Sequence, residues 1–166
     1  MNLQLLVRQI ERYRRRELLI DTNLLLLFFV GARRPDRIRS FNRTSRYSAD
    51  DFALLERVIS EFKRMTTTPH IMTEVSNLMG QFAEPLRSDL RGYLSAAIQA
   101  WNESSTASRN LAKAPHFPRL GLTDTAIADL KPRSCLILTD DRALAGLLED
   151  KGLEVILFSD LRSTCL

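Results

Sequence analysis

Two apolar segments that each end in aspartate are the strongest constraint on the fold of this chain. Leu-Leu-Ile leads into Asp21, and residues 134–139, Ser-Cys-Leu-Ile-Leu-Thr, lead into Asp140 and Asp141. Short continuous apolar runs are typical of strands that are buried on both faces of a sheet. Segments with helical periodicity lie between them, and parallel neighbours need such crossovers. The pattern therefore predicts an α/β domain with a mostly parallel central sheet.

The remaining segments continue this alternation. Spacing of apolar residues predicts helices within residues 1–16, 24–30, 50–62, 70–81, 87–102, 123–130 and 141–151. Strands are expected over residues 17–21, 65–68, 134–139 and 154–158. Gly31 is expected to end the second helix and Thr123 to cap the sixth, while Ile98 is expected to face inward. Residues 102–118 are polar and broken by prolines, which favours an exposed connection.

Length and composition indicate one compact domain, residues 1–166. A chain of 166 residues can bury a sizeable core and leaves little room for a second domain. The longest wholly apolar run, Leu24 to Val30, is far below the roughly 20 residues of a membrane span. The N-terminal order of apolar residues before arginines argues against a secretory signal. With two cysteines only, a disulfide framework is not expected, and we predict a cytoplasmic protein.

Positive charge is concentrated at the beginning of the chain. Residues 1–46 carry eleven arginines and four acids, a balance of +7, whereas the remaining thirteen bases and sixteen acids give −3. Such asymmetry favours a polyanionic partner such as nucleic acid, and a solvated basic face is an equal alternative. Residues 32–48 form an arginine-rich loop, for which solvation, RNA contact and protein docking stay open. Its arginines are Arg33, Arg34, Arg37, Arg39, Arg43 and Arg46.

Four acids fall where strands end or helices begin. They are Asp21, Glu74, Asp124 and Asp141. Carboxyl ends of parallel strands share one edge of a sheet, where ligands bind, so the four side chains are expected to converge. Packing like charges together is unfavourable, and a divalent cation offsets that cost. Carboxylate oxygens favour Mg²⁺ or Mn²⁺. Individually, each acid has an ordinary alternative as a helix cap, a dipole partner or a solvated charge.

Four blocks that contain these acids resemble the signature blocks of the PIN-domain family. They read LLIDTNL (residues 18–24), TPHIMTEVSNL (68–78), GLTD (121–124) and LTDDRAL (138–144), in the family's order. The resemblance implies a three-layer α/β/α sandwich with a mostly parallel sheet. It also implies endoribonuclease activity that depends on Mg²⁺ or Mn²⁺, with one or two ions. Many small members are toxins of toxin–antitoxin pairs, and others process or degrade RNA.

The resemblance also implies roles for individual residues. Asp21, Glu74 and Asp124 match the first three acids of the family and Asp141 the last, as metal ligands and catalytic groups. Among neighbouring residues, Asn23 is similar to the residue that orients the first aspartate, Thr139 to a supporting hydroxyl, and Asp140 to a helper or spectator. Implied partners are RNA, a cognate antitoxin and a second copy of the chain, with no membrane. The N-terminal helix and the long arginine-rich loop depart from the shortest members.

Three other functions were weighed against this interpretation. An aspartyl-phosphate phosphatase usually has a second aspartate where this chain has Asn23. A PIN-like RNA- or protein-binding module without nuclease activity is the main alternative, and the presence of all four acids argues against it. A structure-specific DNA nuclease is typically longer. His70 is interpreted as a helix-start residue and His116 as a loop residue, so no zinc site is expected. Phe41 and Tyr47 are interpreted as apolar anchors of the loop rather than base-stacking groups.

Overall fold

A single parallel sheet organises the part of the chain that the structure, a computed structural model, describes, residues 3–165. Its strand order is β3-β2-β1-β4-β5, and each pair of neighbours is parallel. The strands are β1 (Glu17–Ile20), β2 (Arg64–Thr67), β3 (Asn102–Glu103), β4 (Cys135–Thr139) and β5 (Glu154–Leu157). The predicted parallel sheet is confirmed.

Helices connect and cover these strands, and the result is the predicted three-layer α/β/α sandwich. Within residues 3–165 the helices are α1 (Leu3–Tyr13), α2 (Thr22–Arg33), α3 (Ala49–Ser60), α4 (Pro69–Met79), α5 (Leu86–Ala100), α6 (Ser108–Leu111), α7 (Phe117–Ala128), α8 (Arg142–Asp150) and α9 (Phe158–Cys165). Helix α2 packs against α3, α4 and α5, whereas α1 packs against β4 and α9. None of the described helices has the length and apolar composition needed to cross a membrane.

The core explains why β1 and β4 are continuous apolar runs. Leu18, Leu19, Leu136 and Ile137 are fully buried because both faces of the sheet are covered. Between Leu24 and Val30, helix α2 supplies further buried residues, all of that range except the partly buried Phe28. These side chains belong to one contiguous hydrophobic cluster. The strand ends that precede Asp21 and Asp141 are therefore held in place by a closely packed core.

The end predicted for α2 at Gly31 and the cap predicted at Thr123 are both wrong. Helix α2 continues to Arg33 rather than ending at Gly31, since Gly31 is where the ring of Phe52 approaches the backbone. A Cβ atom at Gly31 would lie 2.2 Å from Phe52 Cδ2, so the glycine serves close packing. In α7, helical residues begin at Phe117 and are interrupted at Gly121, whose φ of 75° suits glycine. The side chain of Thr123 makes no hydrogen bond within residues 3–165, so it does not cap this helix.

Other differences concern short elements and one exposed side chain. Residues 102–118, predicted to be an exposed connection, contain β3 and α6. Strand β3 forms because residues 102 and 103 pair with β2 at the edge of the sheet. Phe158 begins α9 instead of ending β5, and that final helix was not predicted. Ile98 is 49% exposed, so the inner face of α5 is narrower than its apolar residues suggested. Cys135 is buried, Cys165 is exposed, and both are free thiols.

Candidate metal centre

The crevice at the carboxyl ends of β1 and β4 is the topological switch point of the sheet. Strand β2, which follows β1 in the chain, lies on one side of β1, and β4 lies on the other side of β1. Open parallel sheets bind ligands at this place. Asp21 directly follows β1, and its N–H donates to Leu138 O at 3.1 Å. This hydrogen bond holds the ends of β1 and β4 side by side. Asp140 and Asp141 directly follow β4.

Asp21 is held by three donors in a buried position. Its side-chain Oδ1 accepts a hydrogen bond from Leu24 N at 3.0 Å. Oδ2 accepts one from the hydroxyl of Thr139 and one from Asp140 N at 3.2 Å. Asp21 is only 6% exposed, and burial raises the pKa of its carboxyl although these hydrogen bonds oppose the shift. The chain thus orients one carboxylate at the crevice and makes its ionisation costly.

Asp141 caps α8, and Thr139 connects it to Asp21. Its Oδ1 accepts hydrogen bonds from Ala143 N at 2.8 Å and Leu144 N at 2.9 Å. The backbone N–H of Asp141 donates to Thr139 Oγ1 at 3.0 Å. One hydroxyl therefore donates to the first carboxylate and accepts from the backbone of the second. The contacts of Thr139 fit the supporting role that the family resemblance implied.

Glu74 reaches the same crevice from α4. Thr68 caps this helix through Ile71 N at 3.2 Å, and Pro69 occupies its first turn, so the helix starts directly after β2. The hydroxyl of Thr22 donates to Glu74 Oε2 at 3.0 Å. Because Thr22 follows Asp21 in the chain, this bond ties α4 to the end of β1.

Asp124 brings the fourth carboxylate into the group. The break at Gly121 redirects α7, and Asp124 lies half-buried in the segment that follows. Burial, and then the negative charges of Asp141, Asp21 and Glu74, raise the pKa of Asp124 to about 6. The negative charges of the three other predicted acids therefore oppose the ionisation of Asp124.

This donor set is compatible with Mg²⁺ or Mn²⁺, although it is not pre-assembled. Among residues 3–165, no three acidic, histidine or cysteine side chains are already gathered into a set able to hold a metal ion. Oxygens of Asp21, Glu74 and Asp141 accept hydrogen bonds from the protein instead. Mg²⁺ commonly keeps several waters and uses only one or two carboxylates directly. One direct contact with the other acids bridged by water therefore fits this geometry.

The arginines of the loop have different environments. Arg33 forms a two-point ion pair with Asp89, with Nε 2.8 Å from Oδ2, and joins α2 to α5. Arg34 pairs in the same way with Asp36, and Arg37 Nε lies 3.6 Å from the same carboxylate. Arg33 is matched by its own acid and is therefore a poorer candidate for RNA contact than the sequence suggested, whereas Arg34 and Arg37 share one carboxylate and remain about half exposed.

Arg39 and Arg43 are exposed and make no ion pair within residues 3–165. Arg46 lies against the acidic crevice. Its Nη2 is 2.6 Å from Tyr47 Oη and 3.3 Å from Asp140 Oδ2. The loop therefore presents three arginines whose positions suit a polyanion, and one of the three contacts the residue next to Asp141.

Asp140 is a structural junction rather than a spectator. Its Oδ2 accepts a hydrogen bond from Tyr47 Oη at 3.1 Å, and its Oδ1 accepts one from Ser159 N at 3.1 Å. One buried carboxylate thus joins the arginine-rich loop, the end of β4 and the start of α9. Sequence reasoning missed Ser159, because α9 was not predicted, and it missed Thr22, whose only signal was its place beside Asp21.

Three further side chains complete the comparison with the sequence. The side chain of Asn23 makes no hydrogen bond within residues 3–165, so it does not orient Asp21. Tyr47 is buried, which agrees with its interpretation as an anchor of the loop. His70 stands in the first turn of α4, where it was expected, and its Nε2 lies 3.5 Å from Ser108 Oγ.

No protein-family model matches this chain, and a comparison with curated proteins finds no match either.

Proposed function

We propose that this protein is a divalent-metal-dependent endoribonuclease of the PIN type whose centre is Asp21, Glu74, Asp124 and Asp141. The observation that carries the proposal is the arrangement of the acids at the switch point: Thr139 bonds to Asp21 and to the backbone of Asp141, and Thr22 at the end of β1 bonds to Glu74. In agreement with this arrangement, burial and the charges of these three acids raise the pKa of Asp124 to about 6. Acids brought together at the switch point of a parallel sheet have a natural use in holding a hard cation. The order of the four sequence blocks supports the same function.

Each acid has a role that follows from its contacts. A bound ion would lower the pKa of a water and stabilise charge on the leaving oxygen of the phosphodiester. Asp21 and Asp141 would hold it, because Thr139 keeps their two segments in register. Glu74, positioned by Thr22, completes the shell directly or through water. Asp124, whose pKa is raised to about 6, would lose its proton on binding the ion at pH values below 6.

RNA is the proposed substrate because positive charge lies beside these acids. Phosphates are attracted by arginines, while bases carry little of the binding energy in a non-specific complex. Arg46 contacts Asp140 at 3.3 Å, so at least one arginine borders the centre itself. A toxin role, a cognate antitoxin, a homodimer and a cytoplasmic location stay predictions of the resemblance.

The test is cleavage of a circular RNA, which only an endonuclease can open. Purified protein is incubated with it in Mg²⁺ or Mn²⁺, in EDTA, and as the Asp21→Asn variant. Linear product that needs the metal and disappears in the variant supports the proposal. Product that persists in Asp21→Asn contradicts the assigned centre. Absence of product on varied RNAs favours the alternative, an RNA- or protein-binding module, to which the unassembled ligand set would also be suited.

A further inference from the structure

An open cleft beside the acidic centre is lined by arginines from two parts of the chain. It has a volume of about 490 Å³ and lies between the arginine-rich loop, the start of α3 and helix α9. Arg39 and Arg46 come from the loop, and Arg162 comes from α9. The other lining residues are hydroxylic or acidic: Ser48, Asp50, Asp51, Ser159 and Ser163.

Asp140 lies between the cleft and the acidic centre. Asp140 accepts a hydrogen bond from Ser159 N on the cleft side and lies 3.3 Å from Arg46. On the other side its own N–H donates to Asp21 at 3.2 Å, and its chain neighbour is Asp141. Because Asp140 contacts both sides, a strand whose phosphate lies at the centre can extend into the cleft.

Two of the acids near the cleft are buried and already satisfied. Asp51 is 2% exposed, accepts from Ser48 N at 2.7 Å and pairs with Arg162 Nε at 2.8 Å. Asp140 is held in the same manner by Tyr47 and Arg46. Their arginine partners remain 38% and 53% exposed at the side chain, so unused N–H donors stay accessible to solvent.

Arg39 is the decisive residue because its charge is not matched. It is exposed and makes no ion pair within residues 3–165. Asp50 is the exposed acid in the lining of the cleft, and its negative charge opposes the positive charge of Arg39. Guanidinium groups bind phosphate oxygens in a two-point geometry, and several arginines around serine hydroxyls suit one phosphodiester.

We propose that this cleft binds a phosphodiester of the RNA strand adjacent to the one placed at the acidic centre. The proposal rests on the proposed function in naming RNA as the ligand. Such a contact positions the strand without reading its sequence. It also separates the loop arginines by role, since Arg39 and Arg46 bind substrate here while Arg33 joins α2 to α5 through its ion pair with Asp89.

The test measures binding without cleavage. Fluorescence anisotropy of a 5′-fluorescein-labelled single-stranded RNA is recorded in EDTA over a range of NaCl concentrations, with wild type and Arg39→Gln. One lost phosphate contact reduces the slope of log K against log salt by about 0.7. That corresponds to about fivefold weaker binding at 0.1 M salt, with the difference vanishing near 1 M. Arg39 is the residue to change because Arg162 and Arg46 also hold buried acids.

Two control variants separate the cleft from overall charge. Arg57→Gln removes the same charge from an exposed position on α3, nine residues and about 13 Å along the helix from Ser48. Its affinity for RNA should match that of the wild type. Asp50→Asn removes the opposing charge and should strengthen binding by up to about fivefold. Equal losses in Arg39→Gln and Arg57→Gln, or no loss in Arg39→Gln, overturn the proposal; an acidic protein segment as the true ligand gives the second result.

Failure of this proposal is distinguishable from failure of the proposed function. If circular RNA is cleaved normally and Arg39→Gln binds like the wild type, the nuclease stands and the cleft has no role in RNA binding. If Arg39→Gln weakens binding as expected but no metal supports cleavage, the cleft binds RNA and the nuclease proposal fails. If the wild type binds no RNA in EDTA, the cleft proposal is overturned whatever the cleavage assay shows.

Discussion

Replacing Asp124 by asparagine should stabilise the metal-free protein while removing nuclease activity. Asparagine has nearly the same shape and carries no charge. Burial and three neighbouring carboxylates raise the pKa of Asp124 from 3.8 to about 6, so at pH 7.5 the side chain is ionised in surroundings that oppose its charge. The variant relieves that repulsion without creating a cavity.

The size of the effect follows from the shift in pKa. A difference of about 2 pH units corresponds to roughly 3 kcal/mol at 1.36 kcal/mol per unit. Asp124 is only half-buried, and solvent screening reduces this to about 1–2 kcal/mol. For a chain of this size the gain corresponds to about 2–8 °C in Tm.

The raised pKa of Asp124 also determines how the free energy of unfolding changes with pH. A carboxyl whose pKa is raised in the folded state binds its proton more tightly there than in the unfolded chain. The contribution of Asp124 to the free energy of unfolding therefore falls as the pH rises from about 4 to about 6, and the cost is fully present above pH 6. The advantage of Asp124→Asn should be present at pH 7.5 and absent near pH 4.

Urea unfolding in EDTA at both pH values measures this difference. Glu56→Gln, at an exposed position of α3 with no hydrogen bond or ion pair within residues 3–165, is the matched control and should change stability little at either pH. Addition of Mg²⁺ should stabilise the wild type and leave Asp124→Asn unchanged. A variant that is no more stable than the wild type at pH 7.5, or equally more stable at pH 4, would refute the claim that burial and the neighbouring acids oppose the charge of Asp124.

Three further predictions concern the surroundings of the centre. Affinity for Mn²⁺ should fall about tenfold for each pH unit below 6, since protonation of Asp124 competes with the ion; calorimetry at constant ionic strength measures it, and a flat profile from pH 5 to 8 contradicts it. Thr139→Val removes the hydroxyl bonded to Asp21, so RNA cleavage should slow about 10–100-fold, and an unchanged rate would exclude a supporting role. Tyr47→Phe removes a donor from buried Asp140 and should cost about 1–2 kcal/mol in urea unfolding, whereas a neutral effect would show that the bond is dispensable.

The parallel sheet was predictable because its signal is local. A buried strand such as residues 135–139 is recognisable within its own residues, and the acid that follows takes its position from the strand end. Asp21 and Asp141 are placed by this rule alone. Thr139 was placed for the same reason, since it is the last residue of its strand.

Contacts between distant segments were not predictable in this way. The arginine-rich loop gave six similar residues in sequence, yet Arg33 is paired with Asp89, fifty-six positions away. The role of Asp140 depends on Tyr47 and Ser159, which come from the loop and from the unpredicted α9. Gly31 was interpreted as a helix end because its packing against Phe52 depends on the position of another helix.

Calorimetric titration of the isolated protein with Mn²⁺ at pH 7.5 tests the central claim most directly, because it needs no knowledge of the RNA target. The wild type and Glu56→Gln should bind with the same stoichiometry and affinity. Asp21→Asn should lose that binding, since Asp21 is the carboxylate held at the switch point by three donors. Equal binding by Asp21→Asn and wild type would contradict a metal centre built on these acids.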